Sequence, residues 1–340
     1  MEENENNFPG VIDDPRTPEE KAKDYQHEEL CGAVSAPVWT ERSPKHFLIF
    51  NQDGSSSCVA NGTAKLLGID EIYEGREFVD LSRRDIYVRR VNKDTGGMYL
   101  PNALDIATQH GATLESLVPS EMKNETAMNL TDGITATTDE IAKKYRSKGY
   151  IELPITMDAI ADMTTKGKAV LLGVRFYRDE WTDFPTVKPN ETGQMLGHGI
   201  AAVDNVLKNG KKYIVIDDSW GLAYAVQGQR YISEEFLKAR CFYAGYTQNL
   251  ILEENTTPKP KHTFTHWMHR GDKNADVVAL QNILKYEGMF PINSTSTGLY
   301  GAVTQSGVKK FQIKYFGTSS NKGYQAGPQT IAKLNELYSN

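Results

Sequence analysis

Apolar residues follow two different spacings along the chain. Helical spacing holds from residue 58 to residue 67, and again over residues 102–110 and 157–167. Residues 169–176 instead form a continuous apolar run, as expected for a buried strand. The pattern therefore predicts a helical first part followed by a strand-rich second part, which is an α+β fold.

Two further apolar runs predict a β-hairpin. One run, residues 200–203, follows His198, and the other, residues 213–216, ends in Asp217 and Asp218. The Lys-Asn-Gly-Lys sequence between them favours a tight turn. A hairpin brings His198 beside the end of the second strand. Because successive residues of a strand face opposite sides, only one of the two carboxylates can serve this histidine.

Periodicity is lost over residues 251–264, where Pro-Lys-Pro-Lys favours an extended spacer. We therefore predict an N-terminal segment (1–34), a first domain (35–250), a linker (251–264) and a second domain (265–340). Three amphipathic stretches beyond the linker predict a three-helix module. Its expected core consists of Leu280, Leu284, Val303, Val308, Phe311, Ile331 and Leu334.

Length and charge restrict the class of protein. A chain of 340 residues and 38.0 kDa suits two domains. The net charge of -6 and the absence of a long basic tract argue against nucleic acid as a partner. No apolar run reaches the length of a membrane helix, so we expect no membrane partner. The first eight residues, MEENENNF, lack the apolar core of a secretory signal, which fits a cytoplasmic start or a chain without its leader.

Candidate chemistry is concentrated around Cys58. The predicted helix starts at or near this residue, and the unpaired amides of a helix N-terminus stabilise a thiolate. Gln52, six residues earlier, can return across the loop to donate a hydrogen bond where an oxyanion would form. A single cysteine is more often a small buried hydrophobe, so the interpretation depends on a base such as His198.

Four separated motifs resemble those of the papain family of cysteine peptidases, over roughly residues 35–250. They are, in chain order, Gln52 with Cys58, Gly96-Gly97, Gly-His-Gly-Ile-Ala-Ala-Val around His198, and Asp-Ser-Trp-Gly beginning at Asp218. The resemblance implies a papain-like two-lobe fold, with a cleft between a helical lobe and a β-rich lobe.

The resemblance also implies a role for each matching residue. Cys58 would be the nucleophile, His198 the general acid and base, and Asp218 the group that orients the imidazole. The Gln52 amide and the Cys58 N–H would form the oxyanion hole. By the same resemblance, Trp220 would shield the His198–Asp218 hydrogen bond from water, while Gly97 beside Gly96 would hold the substrate strand.

Several residues depart from the family's pattern. Asp218 stands where the family usually has Asn, and an anion there would favour the imidazolium. Val59 replaces the usual Trp after the nucleophile. Cys241 stands where the family commonly has half of a disulfide, and Cys31 is an alternative partner for it. Three cysteines leave at least one unpaired.

The N-terminal segment has two interpretations. Residues 18–30 are polar and helix-prone, which favours a surface strap packed on the first domain. The papain resemblance suggests instead a short inhibitory pro-segment laid along the cleft. In another charged stretch, residues 80–91, we expect four arginines to form a solvated helix face, namely Arg83, Arg84, Arg89 and Arg90.

Residues 267–338 resemble the peptidoglycan-binding domain of bacterial and phage wall enzymes. The resemblance is carried by Asp-Val-x-x-Leu-Gln, Gly-x-Tyr-Gly-x-x-Thr and Val-Lys-x-Phe-Gln. It implies peptidoglycan as the partner of residues 265–340. A helical module that binds something else is the alternative.

Together the two resemblances imply a thiol peptidase, acting on protein or peptide and tethered to a bacterial cell wall, secreted or wall-associated. One alternative is a lysin that cleaves peptidoglycan peptides, released by a phage or a bacterium. The other is an inactive wall-binding scaffold. We expect no cofactor and no metal: His262, His266, His269 and Asp272 cluster near the linker, but solvated residues are the favoured interpretation.

Overall fold

The computed structural model describes residues 10–21, 24, 36–120, 124–189, 193–250, 259–287, 289–290 and 295–339. The chain forms two compact units, Met1–Leu252 and Glu253–Asn340. The division between them falls inside the predicted linker. Within the described residues, no helix is long and apolar enough to cross a bilayer.

The first unit combines helices with one large sheet. Its helices are α1 (Pro18–Lys21), α2 (Cys58–Tyr73), α3 (Arg83–Tyr87), α4 (Leu100–Gln109), α5 (Glu125–Met128), α6 (Ala136–Ala142), α7 (Met157–Thr165) and α8 (Glu234–Arg240), with 3-10 turns at Lys143–Tyr145 and Arg178–Glu180. The sequence pattern predicted α2, α4 and α7, and the structure confirms these three helices.

The sheet has six antiparallel strands. They are β1 (Tyr150–Glu152), β2 (Val170–Tyr177), β3 (Met195–Lys208), β4 (Lys211–Asp217), β5 (Gln229–Ile232) and β6 (Cys241–Thr247). Their spatial order is β1-β6-β2-β3-β4-β5. The predicted hairpin is confirmed as β3 and β4, joined at Asn209 and Gly210, whose φ angles of 53° and 71° are those of a tight primed turn.

Helix α2 is the central element because the sheet lies directly against it. Its residues from Cys58 to Glu71 are buried. A Cβ at Gly199 of β3 would stand 2.7 Å from Val59 Cγ2, so glycine allows the strand to approach the first turn of the helix. This close packing sets the N-terminus of α2 against the strand that carries His198.

Three of the four arginines of residues 80–91 do not lie on a solvated face, whereas the side chain of Arg89 is 25% exposed. Arg83, Arg84 and Arg90 are each at most 2% exposed. Arg83 lies 2.6 Å from Asp80, and Arg84 lies 2.6 Å from Asp132. The expectation was wrong because carboxylates from other parts of the chain neutralise these cations as they are buried.

The second unit is a helical module with a short two-stranded sheet. Its elements are β7 (Met268–His269), α9 (Ala275–Tyr286), α10 (Ala302–Phe316), β8 (Gln325–Ala326) and α11 (Pro328–Tyr338). The expected core is largely correct, but Val303 is 51% exposed, because α10 turns Thr304 and Val308 inward instead. Phe264, at the end of the predicted linker, is 3% exposed in the core of this unit.

Candidate active site

Cys58 is the first residue of α2 and is fully buried. The residue before it, Ser57, does not cap the helix through its side chain. Its hydroxyl instead lies 2.8 Å from Ser55 Oγ and accepts from Asn61 Nδ2 at 3.0 Å. The first-turn amides therefore remain free of a side-chain cap, and Gly199 N donates to Cys58 Sγ at 3.3 Å. One backbone donor thus contacts the sulfur, which lies at the N-terminus of a helix, where the dipole favours an anion.

His198 lies on β3 opposite Val174 of β2 and is 3% exposed. Its Nε2 is 2.8 Å from Asp218 Oδ1. This contact leaves Nδ1 as the ring nitrogen available for the Cys58 sulfur, with which His198 also forms a hydrogen bond. The structure therefore brings Cys58, His198 and Asp218 together.

Aromatic rings enclose the imidazole. The ring of Trp181 meets it edge-on with centroids 5.7 Å apart, and the ring of Trp220 is tilted against it at 5.5 Å. Phe176 lies edge-on at 6.2 Å. His198 is 3% and Asp218 1% exposed in these surroundings, and a hydrogen bond is electrostatically stronger at a buried site than in water.

Asp218 directly follows β4, and its carboxylate is fully buried. Its second oxygen, Oδ2, accepts from Trp181 Nε1 at 3.1 Å and from Arg230 Nε at 2.7 Å. Arg230 lies opposite Ile216 on the neighbouring strand β5, which places it on the same face as Asp218. Three N–H groups therefore surround this carboxylate.

The protonation of the pair follows from these contacts. Burial alone would lower the pKa of His198, but the hydrogen bonds to Asp218 and Cys58 and their negative charges raise it to about 9. Burial alone would raise the pKa of Asp218, but His198 and Arg230 together lower it below its usual value. The geometry therefore stabilises an imidazolium beside the Asp218 carboxylate.

Asp217, the alternative in the sequence, faces the other side of the strand. Its Oδ2 accepts from Lys65 Nζ at 2.9 Å, and its Oδ1 accepts from Gln229 Nε2 at 2.9 Å. Lys65 lies on α2 and is 2% exposed. The alternation of the strand therefore separates the two carboxylates as predicted, and Asp218 is the one that reaches His198.

Gln52 is held between the nucleophile loop and the residue after Asp218. Its Nε2 donates to Ser55 O at 2.8 Å, and its Oε1 accepts from Ser219 Oγ at 2.7 Å. The backbone N–H of Gln52 also donates to Ser219 O at 2.8 Å. These contacts fix the carboxamide and leave its second N–H to donate to a reacting oxygen.

The glycine pair lies beside the nucleophile loop, and the backbone groups of Gly97 are already hydrogen-bonded. Gly97 N donates to Tyr87 Oη at 2.9 Å, and Gly97 O accepts from Asn92 Nδ2 at 3.0 Å. Beside it, Ser56 Oγ is 2.9 Å from the position that a Cβ on Gly96 would occupy. The role of these glycines in holding a substrate strand stays a prediction.

An extended N-terminal segment, residues 10–16, occupies this groove. Met98 N donates to Gly10 O at 3.0 Å, and Ile12 N donates to Met98 O at 3.2 Å. Gly10 N donates to Gly197 O at 3.3 Å. A Cβ on Gly10 would stand 2.1 Å from Cys58 Sγ, so the segment crosses directly over the sulfur.

Ion pairs hold this segment at its far end. Asp13 pairs with Arg175 of β2. Arg16 contacts Asp14 at 2.8 Å and Asp24 at 2.7 Å. Of the predicted strap, residues 18–30, the structure describes helix α1 (Pro18–Lys21) and residue 24, and residues 22–23 and 25–30 lie outside the described part of the chain.

Two residues of the site, Trp181 and Arg230, were not identified from the sequence. Arg230 could have been noticed in the sequence, because it is the single cation in the strand segment Gln229–Ile232 and a buried arginine needs a carboxylate. The sequence did not specify which carboxylate. Trp181 follows a 3-10 turn and offered no pattern.

The other chemically active groups lie apart from this site. Cys241 is a free thiol that donates to Tyr243 O at 3.2 Å, and burial raises its pKa to about 12. Cys31 lies outside the described residues. Asp85, His110 and Asp139 converge in the first unit, but Arg89 donates to both carboxylates and so supplies the cation that they need.

Two of the three histidines near the linker contact carboxylates. His262 Nε2 lies 2.8 Å from Asp276, and His269 Nδ1 lies 3.1 Å from Asp272. His266 Nδ1 lies 2.8 Å from Thr265 Oγ1. The three imidazoles thus each contact a residue of their own.

Comparison with known proteins gives two family matches. Residues 39–243, more than half of the chain, match the model of the papain family cysteine protease. Residues 273–334 match the model of a peptidoglycan binding domain. A KDEL-tailed cysteine endopeptidase from Arabidopsis thaliana is 24% identical over 245 residues, which are 70% of this chain and 65% of that protein. The chain therefore spans less than two thirds of the length of this relative.

Solved structures share the fold. Xylellain, a cysteine protease from Xylella fastidiosa, has a TM-score of 0.58 at 16% identity, covering 72% of this chain and 96% of its own. Procathepsin B S9 from Trypanosoma congolense has a TM-score of 0.53 at 15% identity, covering 72% and 87%. Digestive procathepsin L 3 from Tenebrio molitor larval midgut has a TM-score of 0.51 at 17% identity, covering 72% and 76%.

Proposed function

The chain belongs to the papain family of cysteine proteases, and from that premise we propose that it hydrolyses peptide bonds through Cys58, His198 and Asp218. The observation that carries this proposal is the 2.8 Å contact of His198 with Asp218, buried beside a thiol at the start of α2. A nucleophile, its base and the group that orients the base are the minimum for covalent acyl transfer.

The proposed reaction has two stages. The Cys58 thiolate attacks the substrate carbonyl, and the oxyanion accepts hydrogen bonds from the Cys58 N–H and from Gln52 Nε2. His198 gives its proton to the leaving amine. A water molecule, deprotonated by His198, then attacks the thioester and releases the acid product. Trp220, packed against the imidazole, keeps other water away from the His198–Asp218 bond.

Replacing the sulfur tests this proposal. Cys58→Ala should reduce hydrolysis of a denatured protein substrate by at least about 1,000-fold, because the covalent route is lost. Cys241→Ala is the matched control, since it removes a thiol that lies apart from the site, and it should keep activity. Equal activity of Cys58→Ala and the unmodified chain would refute the nucleophile.

We propose that the second unit tethers this peptidase to a bacterial cell wall. The match to a peptidoglycan binding domain supports this role. Tethering raises the effective concentration of an enzyme near wall-associated substrates. The full chain should sediment with purified sacculi, whereas a chain that ends at residue 250 should stay in solution. Sedimentation of both would place the binding surface in the first unit.

The natural substrate separates two versions of the proposal. We favour an endopeptidase that acts on proteins at the wall, and the alternative is a lysin that cleaves the peptides of peptidoglycan itself. Purified sacculi and a denatured protein, each treated with the full chain and with Cys58→Ala, distinguish them. Wall peptides released only by the active chain would favour the lysin. Identical behaviour of both chains on both substrates would support an inactive scaffold.

The N-terminal segment is proposed to inhibit the enzyme by occupying the groove. Its backbone bonds to Met98 and Gly197 take positions where a substrate strand would bind, and Gly10 lies over the nucleophile. Deleting residues 1–34 should therefore raise activity several-fold, and unchanged or lost activity would refute inhibition.

A single substitution tests the same point with less disturbance. Gly10→Ala introduces a Cβ at 2.1 Å from Cys58 Sγ, so the segment must move away from the sulfur and activity should rise. Gly301→Ala is the matched control, because a Cβ there meets nothing within 4 Å. Equal effects of the two substitutions would contradict the inhibitory contact.

A further inference from the structure

The carboxylate of Asp218 receives three N–H donors. They come from His198 Nε2 at 2.8 Å, Trp181 Nε1 at 3.1 Å and Arg230 Nε at 2.7 Å. A carboxylate can accept all three, since it has two oxygens and no donor of its own. An asparagine has an NH2 group in place of the second oxygen. That group would face two donors and could not accept a hydrogen bond from either of them. The three donors therefore require Asp at this position.

Arg230 is also the charge that balances Asp218. It is 3% exposed, and its Nη1 donates to Trp181 O at 3.0 Å. Its guanidinium lies 5.1 Å from the ring of Trp181 and 5.3 Å from that of Trp220. It therefore touches the carboxylate and both of the tryptophan rings that enclose His198.

Other charged groups near the site are neutralised elsewhere. Asp217 points to the opposite face of the strand and pairs with Lys65 at 2.9 Å. Glu180, which precedes Trp181, pairs with Arg240 at 2.7 Å. Among the described residues, the ionisable groups that act on the His198–Asp218 pair are thus Cys58 and Arg230.

We propose that Arg230 is a positioning residue of this active site, which holds Asp218 in place and offsets its charge, so that the two together replace the neutral asparagine usual in the family. This inference rests on the proposed roles of Cys58, His198 and Asp218. Because Arg230 offsets the charge of Asp218, this carboxylate raises the pKa of the neighbouring imidazolium less than an unpaired carboxylate would.

The two charges should therefore be energetically coupled. Asp218→Asn alone leaves a buried cation beside the imidazolium and two donors facing an NH2 group, so reactivity should fall on the order of 100-fold. Arg230→Met alone leaves an unbalanced anion. The imidazolium should then persist about one pH unit further into the alkaline range. The double variant restores neutrality and should react at least about 5-fold faster than Asp218→Asn.

Alkylation of Cys58 by iodoacetate, followed from pH 4 to 11, measures this coupling, because this anionic reagent is attracted by the imidazolium and reacts more slowly once the imidazolium loses its proton. The alkylation rate reports the thiolate–imidazolium pair without a peptide substrate, so its failure is distinguishable from failure of the proposed hydrolysis. Cys58→Ala supplies the blank for other thiols. The unmodified chain is the reference profile, because its N-terminal segment covers Cys58 in the same way as in the variants.

Two controls distinguish a loss of fold from the proposed effect. Circular dichroism identifies variants that have lost their structure. Arg230→Lys keeps the positive charge, and its alkaline limit should lie near that of the unmodified chain, unlike that of Arg230→Met. An alkaline limit that is equal in Arg230→Met and the unmodified chain would overturn the proposal. So would a double variant that is no faster than Asp218→Asn.

Discussion

Asp217 and Asp218 are adjacent at the end of β4, and both are buried beside a cation from another element, yet their surroundings differ. On one face, Asp217 has Lys65 and one amide, from Gln229. On the other face, Asp218 has His198, Trp181 and Arg230. The first group of contacts connects helix α2 to the sheet, and the second holds the imidazole beside the thiol.

The pKa values of Lys65 and His198 show the effect of these different partners. At Lys65, burial lowers the pKa of the ammonium even though Asp217 opposes the shift. At His198, burial acts in the same direction, but the hydrogen bonds and charges of Asp218 and Cys58 raise the pKa to about 9. One ion pair does not offset the effect of burial on the pKa of Lys65, whereas hydrogen-bonding groups on both sides of the ring do so for His198.

The largest effect should come from removing one carboxylate or the other. Asp218→Ala should lower kcat on the order of 1,000-fold, because His198 loses its orienting group and Arg230 is left unpaired. Asp217→Ala should destabilise the first unit but keep kcat within about 3-fold once the folded fraction is measured. Kinetics on both variants, with active sites titrated, would check this. Similar losses of kcat in the two variants would show that Asp217 and Asp218 do not differ in their role in catalysis.

The next effect concerns stability. Lys65→Met leaves Asp217 buried without its cation, which should lower the free energy of unfolding by about 3 kcal/mol. Adding Asp217→Asn should recover part of that loss, since the unpaired charge disappears. Urea unfolding followed by tryptophan fluorescence measures both. The pH dependence of Cys58 alkylation should not change, and a shifted profile would show that the two faces are coupled.

A third prediction uses pH. The pKa of folded His198, about 9, lies above the ordinary value of 6.5, so its protonation stabilises the folded state. That contribution is fully present below pH 6.5 and is lost as pH rises through 9, with a total of roughly 3 kcal/mol. Unfolding free energies measured between pH 6 and 10 should decline in the unmodified chain and decline less in His198→Gln. Parallel curves would contradict the assignment.

The smallest effect should come from Trp181→Phe. This change keeps an aromatic ring beside the imidazole but removes the N–H that donates to Asp218 at 3.1 Å. One hydrogen bond to a carboxylate contributes about 1–2 kcal/mol, so kcat should fall roughly 5- to 30-fold. Trp39→Phe is the control, because Trp39 packs against the same apolar cluster without contacting Asp218. Equal losses in both variants would point to packing instead of the hydrogen bond.

The sequence determined the parts of this protein that depend on local spacing. A helix beginning at Cys58, an Asn-Gly turn between β3 and β4, and opposite faces for Asp217 and Asp218 all follow from the periods of helices and strands. The family's motifs added the expectation that His198 faces Asp218. Each of these features involves neighbours in the chain or one hairpin, so its pattern is visible in the order of residues.

Only the tertiary structure decided which distant groups meet. It placed Trp181 and Arg230 on Asp218, buried arginines that were expected in solvent, and laid residues 10–12 across Cys58. A buried charge must find an opposite charge, but any of the chain's 44 acidic residues satisfies that rule. The choice is made by the packing of whole elements, because a side chain's partner depends on backbone positions that local spacing does not specify.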